Sequence, residues 1–216
     1  VDLKWDFNPT PTELISLTAF YKLIKNPISR IEVASAGGYL SYENIADKAT
    51  VAGVEVEVRK NLFVRPLSSA ANGMNKLSFG LNGSYIYTNA KMPLATVTTG
   101  SQLEGAAPWI ANFDLSHNFT KGNHSFINTL VLNYVSDKIY TIGTQGYQDI
   151  MEQGMMTLDF VSQAKLNKYV SLTLKARNLL NPSYKLSRKA NESGEKVVLS
   201  DYKKGINISL GVSCTF

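Results

Sequence analysis

Few residues of this chain have the type and spacing that catalysis or metal binding requires. His117 and His124 are the only histidines, and neither has a carboxylate or cysteine partner at a metal-ligand spacing. Cys214 is the only cysteine, which excludes an intrachain disulfide and a multi-cysteine zinc site. The sequence also lacks the G-x-S-x-G motif of a nucleophile elbow. We therefore predict no enzyme activity, no metal site and no cofactor.

Two groups of polar residues have the spacing to contact a ligand. Glu55, Glu57 and Arg59 alternate along one segment, so in a strand they share one face, either as a contact surface or as a solvated ladder of paired charges. Tyr39 follows two glycines, and Tyr147 ends the stretch 143–147. Tyrosine is a good contact residue in a loop. Plain loop flexibility is the alternative explanation for both glycine-containing stretches.

The composition narrows the class of protein. Only 18% of the 216 residues are charged, and the chain contains 11 tyrosines, so it is not a disordered chain. It has no run of apolar residues long enough for a transmembrane helix, but a membrane β-barrel has only half-apolar strands and is compatible with the mean hydropathy of −0.09. The net charge of +5 is spread along the chain, which argues against a nucleic-acid surface.

Apolar residues recur at every second position in segment after segment, which is the signal of strands with two different faces. The last segment is the clearest, because apolar residues occupy every second position from Ile206 to Phe216, and small polar residues or glycine lie between them. Nine such segments are predicted, at residues 1–7, 15–22, 54–59, 77–88, 109–116, 126–134, 156–166, 170–177 and 206–216.

Charged residues within these segments all lie on the polar parity. They are Asp2, Lys4, Asp6, Lys22, Glu55, Glu57, Arg59, Asp114, Asp159, Lys165, Lys175 and Arg177. A charge that faces lipid costs roughly 2 to 4 kcal/mol near the bilayer midplane, so lipid on the apolar face accounts for this exclusion. A soluble β-sandwich, whose buried face also rejects charge, is the alternative.

The connections between the segments alternate in length. Short turns at 8–13, 121–123 and 167–168 alternate with long stretches at 26–48, 91–107, 138–154 and 184–196, which is typical of an outer-membrane barrel. The connection 63–76 is an exception, because it is longer than the alternation predicts. Aromatic residues form two predicted girdles, with Tyr202 in the one beside the long loops. Asn178 and Asn181 are assigned to turns at a strand end.

Bacterial single-chain barrels have even strand numbers and both termini on the periplasmic side. Nine strands that end there would place Val1 outside the cell. We therefore expect upstream strands that this chain lacks, since an open sheet would expose two unpaired edges.

Four short stretches of the chain have the residue patterns of one known family. Residues 19–28 (AFYKLIKNPI) are similar to that family's strand that leads into an extracellular loop, and residues 51–57 (VAGVEVE) to the strand that returns from it. Residues 177–184 (RNLLNPSY) resemble the stretch at its penultimate strand. Ser209, Gly211, Cys214 and Phe216 fit the assembly signal of outer-membrane barrels, although cysteine is unusual at its position. Together these stretches resemble the C-terminal part of TonB-dependent outer-membrane receptors.

This resemblance implies an all-β fold, a partial antiparallel transmembrane β-barrel of about nine C-terminal strands over residues 1–216. It implies a receptor and transporter fragment in the bacterial outer membrane, with loops that bind the ligand for TonB-dependent nutrient uptake. The implied partners are outer-membrane lipid, the barrel-assembly machinery and the missing N-terminal part with its plug domain and upstream strands, through which alone TonB would act. Glu55, Glu57 and Arg59 become possible lumen contacts for the plug or the substrate.

Two other functions remain open at this point. One is a passive structural or adhesin-type outer-membrane barrel, and the other is a soluble β-sandwich that binds a partner. An upstream plug domain would distinguish a receptor from a passive barrel. The sequence does not identify the ligand, since siderophore, cobalamin, metal chelate, glycan and peptide all suit polar loops with tyrosines.

Deletion of Phe216 tests the assembly signal. In the full-length protein we expect less receptor in the outer membrane, because the terminal aromatic is what the assembly machinery recognises in the family. Molecules that do assemble should keep near-normal heat stability, since one rim aromatic contributes only about 1 to 3 kcal/mol. Quantitative immunoblotting of outer-membrane fractions and heat-modified gel mobility measure the two effects. Unchanged surface levels would contradict the assembly role.

Overall fold

The computed structural model describes residues 1–33, 38–67, 73–90, 102–144, 146–190 and 194–215. The regular secondary structure of these residues consists of β-strands. No helix among the described residues is long and apolar enough to cross a membrane. The strands in chain order are β1 (Asp2–Phe7), β2 (Leu14–Lys25), β3 (Ile28–Glu32), β4 (Leu40–Asn44), β5 (Lys48–Leu67), β6 (Gly73–Ala90), β7 (Trp109–Lys121), β8 (His124–Val135), β9 (Lys138–Thr141), β10 (Ile150–Glu152), β11 (Met155–Lys165), β12 (Val170–Arg177), β13 (Ser183–Lys189), β14 (Lys196–Lys203) and β15 (Asn207–Cys214).

Nine of these strands form one antiparallel sheet, which we call the wall. Its order is β1-β2-β5-β6-β7-β8-β11-β12-β15, and within the described residues the sheet does not close on itself. These nine strands are the nine segments that the alternating pattern predicts, so the predicted all-β, antiparallel and open sheet is confirmed. Consecutive wall strands pair with their neighbours along the chain, as in an up-and-down barrel.

The register of the wall keeps residues of one parity together. Trp5 lies opposite Leu17, and Leu17 lies opposite Val56. The exposed large side chains on this apolar face include Leu3, Trp5, Leu17, Val54, Val56, Leu81, Trp109, Phe113, Leu130, Leu174, Ile208 and Leu210. Because side chains alternate across a strand, the charged residues of the same segments fall on the other, polar face.

The wall has two different edges. At the lower edge the described connections 8–13, 122–123 and 166–169 are short, and Gly122 has the positive φ of 58° that suits a tight hairpin turn. At the upper edge the remaining six strands lie within the long connections. The predicted alternation of short and long connections is therefore confirmed.

The connection 63–76 does not break this alternation, and its assignment as a long connection was wrong. β5 continues to Leu67 and β6 begins at Gly73, and these two residues pair with each other. The alternation is hard to follow there because the register shifts between Asn61 and Phe63, so the residues after the bulge change parity.

The six other strands form what we call the loop layer. β14-β13-β10-β9 form a four-stranded sheet, and β3 and β4 form a hairpin. A parallel bridge between Ile31 and Ile142 joins the hairpin to the sheet. The sequence predicted loops here and missed all six strands. Tyr202 lies on β14 in this layer, close to the start of β15, and its place in an aromatic girdle stays a prediction.

Most of the fully buried apolar side chains of the described chain lie in or beside the loop layer. Ile31, Ile45, Ile139 and Ile142 form one cluster with Met151 packed against it. Ala46, Ala49 and Ala90 form a second cluster near the upper edge of the wall. The wall itself has no core of its own in the described residues, because it is a single sheet whose apolar face is exposed.

Paired arginine substitutions test which face of the wall meets lipid. Leu132 lies on the apolar face opposite Phe113 and Leu158, whereas its neighbour Asn133 donates to the Thr157 hydroxyl at 3.3 Å on the polar face. We expect Leu132→Arg to reduce outer-membrane assembly severely, because a lipid-facing arginine costs roughly 2 to 4 kcal/mol near the midplane. Asn133→Arg is the matched control and should assemble at near-normal levels. Equal tolerance of both variants, measured by heat-modified gel mobility, would contradict the assignment of faces.

Candidate functional site

The polar face of the wall brings two of the three predicted contact residues together. Arg59 and Glu57 form an ion pair of 2.7 Å on β5, and the arginine side chain remains 67% exposed. Glu55 lies on the same face and lines, with Glu57 and Lys4, a shallow groove of about 290 Å³. These positions agree with a row of paired, solvated charges on the water-exposed face of the wall. A role in ligand or plug contact stays a prediction.

The same face holds an acidic residue that the sequence analysis did not select as a contact. Asp114 on β7 lies over Gly80 on β6, so close that a side chain at Gly80 would collide with its carboxylate. Asp114, Glu57 and Arg59 line one small cavity of about 120 Å³. The missing side chain at Gly80 therefore makes room for a carboxylate beside the ion pair. A glycine on the polar parity between two charged strands is the signal that could have revealed it.

Arg30 joins the β3–β4 hairpin to β9 and to the connection before β7. Its guanidinium donates to the Tyr140 carbonyl oxygen at 2.6 and 3.0 Å and to the Glu104 carboxylate at 3.0 Å. The other Glu104 oxygen accepts the Arg30 backbone N–H at 3.2 Å. Both side chains are about four-fifths buried, so this pair is shielded from solvent and links three connections of the chain.

Glu32 joins the same hairpin to β13. Its carboxylate forms an ion pair with Arg188, and its backbone carbonyl accepts the Thr144 hydroxyl at 2.6 Å. The Arg188 guanidinium also lies 5.4 Å from the centre of the Tyr147 ring. The hairpin is therefore fixed to the sheet by the Glu32–Arg188 ion pair, by the hydrogen bonds from Arg30 to the Tyr140 carbonyl, and by the isoleucine cluster.

Glu152 on β10 is the third carboxylate that orders the loop layer. It pairs with Lys138 on β9 at 3.3 Å and accepts the Tyr184 hydroxyl at 3.3 Å. Burial, together with the negative charge of Glu152, raises the pKa of Tyr184 to about 12. The phenol is therefore neutral throughout the physiological pH range, and its hydroxyl donates a hydrogen bond to Glu152.

Two cavities lie in and below the loop layer. The first, of about 380 Å³, is bounded by β10, β13 and the start of β14, and its lining residues are Asp137, Gln148, Asp149, Met151, Ser187, Arg188, Lys189, Gly194 and Lys196. The second, of about 390 Å³, lies between the loop layer and the upper edge of the wall, and its lining residues are Met155, Thr157, Asp159, Arg177, Asn178, Pro182, Tyr184, Lys204, Gly205 and Asn207.

Asn178 and Asn181 shape the second cavity through backbone conformation. Both have a positive φ, of 58° and 45°, which confirms their assignment to turns. The Asn178 N–H donates to the Asp159 carboxylate at 2.8 Å, and its side-chain amide donates to the Gly205 carbonyl at 2.7 Å. These bonds fix the turn between β12 and β13 against the start of β15.

The two predicted loop tyrosines lie apart in the structure. Tyr39 precedes β4, is 70% exposed, and its carbonyl accepts the Val33 N–H at 2.8 Å. Tyr147 lies in the connection between β9 and β10 beside Arg188. Gly37 and Gln145, from the two stretches that contain these tyrosines, lie outside the described residues. A ligand role for either tyrosine stays a prediction, and neither lines the first or the second cavity.

Three residues of the predicted assembly signal lie on β15. Gly211 pairs with Thr173, and Ser209 pairs with Lys175, both on β12. Cys214 pairs with Val170 and is an exposed free thiol. Phe216 lies outside the described residues. The assembly role of this group stays a prediction.

The histidines do not form a metal site within the described residues, where no group of three or more potential ligands is present. His117 lies on the apolar face near the lower edge, and its Nε2 is 2.8 Å from the Asn75 side-chain oxygen. This contact gives the imidazole a hydrogen-bond partner, as expected for an amphipathic side chain at an interface.

Comparison with known proteins identifies the family. A family model described as "TonB dependent receptor-like, beta-barrel" matches residues 1–179. The chain belongs to this family. A search of curated proteins and a search of solved structures found no match. Membership makes the wall part of a receptor barrel of the TonB-dependent type, a family of transporters in the bacterial outer membrane.

Replacement of Arg30 tests whether its ion pair holds the receptor's loop layer together. We expect Arg30→Gln in the full-length receptor to lower the free energy of local opening of β3 and β9 by about 1 to 3 kcal/mol, because Glu104 and the Tyr140 carbonyl lose a charged donor. Hydrogen–deuterium exchange of 28–32 and 138–141 measures it. Arg65→Gln is the control, since Arg65 lies on β5 in the wall, with its guanidinium 5.6 Å from the Phe63 ring, and should leave the exchange unchanged. Unaltered protection in Arg30→Gln would contradict the assignment.

Proposed function

We propose that this chain forms part of the wall and the extracellular ligand-binding layer of an outer-membrane receptor for TonB-dependent nutrient uptake. The observation that carries the proposal is the folded loop layer, with one cavity inside it and another between it and the wall. In this arrangement the apolar face contacts lipid, the polar face lines the lumen, and the loop layer faces the exterior.

The ordering of the loop layer supports ligand capture. A binding site loses affinity when binding must first immobilise its loops, and the arginine–glutamate pairs and the isoleucine cluster remove much of this cost beforehand. A passive structural barrel does not require its long connections to fold or to enclose cavities. The two cavities therefore favour a receptor over the passive alternative.

The second cavity provides a route from the loop layer to the lumen. Thr157, Asp159 and Arg177 in its lining lie on the polar parity of the wall, whereas Tyr184 belongs to the loop layer. A ligand released from the layer would thus meet polar wall residues next. The mechanism is binding followed by gated passage, with no covalent bond made or broken. The plug domain, the upstream strands and the contact with TonB belong to an N-terminal part of the receptor in this proposal.

Removal of the β13–β14 hairpin tests the function of the layer. We expect the full-length receptor purified from its source membrane to carry a bound small molecule that native mass spectrometry detects. Replacement of residues 184–203 by a short turn should abolish this binding, while all nine wall strands remain. The control replaces the turn 122–123 at the lower edge by Asn-Gly, which leaves the layer intact and should retain the molecule.

Uptake of the molecule identified in this way should require TonB. Cells that lack TonB should bind it at the surface but not accumulate it. Retention of the molecule by the hairpin-deletion receptor would contradict the proposed site, and accumulation without TonB would contradict the proposed energy source.

A further inference from the structure

We propose that the outer edge of β14 is an interaction surface for the receptor's own N-terminal part. The upstream strand that completes the wall beside β15 extends upward and pairs with β14 as well, so that it joins the loop layer to the rest of the receptor. The inference rests on the proposed function, which places upstream strands next to β15. It goes beyond closure of the barrel, because it assigns a partner to a strand that lies above the wall.

β14 is an edge strand of the loop layer. It is the outermost strand of the four-stranded sheet, and it pairs with β13 along one side. Among the described residues no strand pairs with its other side. Half of the backbone N–H and C=O groups of an edge strand point outward, and such a row is a template for another strand. Natural proteins therefore block or cover these edges.

The centre of β14 has the composition of a covered strand. Val197, Val198 and Leu199 follow one another there, and each is about half exposed. Since side chains alternate across a strand, apolar side chains emerge on both faces of β14. A membrane surface would cover only one of these faces. Consecutive apolar residues at an unpaired edge are an aggregation hazard, and a paired strand removes it by covering the edge and both faces.

The position of β14 determines which segment covers it. β12 continues into β13 through residues 178–182, and β14 continues into β15 through residues 204–206. β12 pairs with β15, and β13 pairs with β14, so the upper hairpin continues the lower one with the same strand on the outside. The free edge of β14 therefore continues the free edge of β15. A strand that pairs with β15 and extends upward meets β14 next.

Hydrogen bonds fix the joint between the two edges. The Asn178 side-chain amide donates to the Gly205 carbonyl at 2.7 Å, and the Gly205 N–H donates to the Asn181 side-chain oxygen at 3.1 Å. Just above the joint, the rings of Tyr184 on β13 and Tyr202 on β14 pack with their centres 5.0 Å apart. The β13–β14 hairpin is therefore held in place over β12 and β15, and the incoming strand meets a preformed edge.

The two edges together set the length and the chemistry of the partner strand. β14 and β15 extend over 19 residues, from Lys196 to Cys214. The wall already contains strands of this length, since β5 has 20 residues and β6 has 18. The partner is thus a single long strand of the same kind. Its upper half carries apolar side chains opposite the centre of β14, where they complete the apolar contacts on both faces.

Site-specific photocrosslinking in the full-length receptor tests the proposal. The photoreactive amino acid p-benzoylphenylalanine replaces Val198 or Leu199 in separate variants, and mass spectrometry of the irradiated receptor locates the residue that has reacted. We expect both positions to crosslink to residues that precede Val1. Trp109 is the matched control site, because it is similarly exposed but lies on β7, the central strand of the wall. The probe at this position should give no crosslink to the N-terminal part.

Hydrogen–deuterium exchange of the same receptor measures the pairing itself. The double variant Val198→Lys/Leu199→Lys places charges at the edge that oppose strand addition. We expect exchange of residues 196–203 to become about tenfold faster in this variant, because the outward amides lose their acceptors. The control is Leu40→Lys/Tyr42→Lys, which adds the same charge at exposed positions of β4 and should leave exchange of 196–203 unchanged. Equal exchange in the β14 variant and the unaltered receptor would contradict the pairing.

A third probe position separates this inference from the proposed function. Ile208 lies on the free edge of β15, so the probe there should crosslink to the N-terminal part in any closed wall. Crosslinks from Ile208, but none from Val198 or Leu199, would overturn the inference and leave the proposed function standing. Absence of crosslinks at all three positions would contradict the upstream strands of the proposed function. Crosslinks from β14 to a second receptor molecule or to another protein would also overturn the inference.

Discussion

The wall depends on one constraint. Each strand must pair its backbone N–H and C=O groups with the neighbouring strands, while one of its faces contacts lipid and the other contacts water. Every pairing from β1 to β15 keeps residues of one parity opposite each other, as in the row Trp5, Leu17 and Val56. A shift of one residue would turn Glu55 and Glu57 toward lipid and their valine neighbours toward water. The face requirement therefore fixes the register of each strand against the next, and the bulge between Asn61 and Phe63 is tolerated where β5 approaches the lower edge.

The loop layer is stabilised in a different way. Its strands are short, and its apolar cluster consists of four buried isoleucines and Met151. Partly buried ion pairs provide the rest of its order, since Arg30 pairs with Glu104 across 74 positions of the chain and Arg188 pairs with Glu32 across 156. Such pairs specify which connections pack together, because an arginine left without its carboxylate would be a partly buried unpaired charge.

The basic residues of the layer fall into two groups with different consequences. Arg30 and Arg188 are paired with carboxylates and hold the β3–β4 hairpin to the four-stranded sheet. Lys189 and Lys196 face each other across β13 and β14 without a carboxylate partner in the described part of the chain. The first group therefore orders the layer, whereas the second group lies exposed at the end of the β13–β14 hairpin.

The sequence by itself determined the wall, including its nine strands, the assignment of their faces, and the alternation of short and long connections. It could do so because lipid and water act on every second residue, and this leaves a signal within each strand that needs no knowledge of its partners. It placed Glu57 and Arg59 on one face, but not Asp114 beside them, since that contact depends on the register of β5, β6 and β7. Tertiary structure alone decided the loop layer. A strand as short as β10, with three residues, shows no period, and the pairing of Lys189 with Lys196 follows from a hairpin register that includes an irregularity at Leu186 and Ser187. Its ion pairs join residues that are far apart in the chain, so no local sequence pattern predicts them.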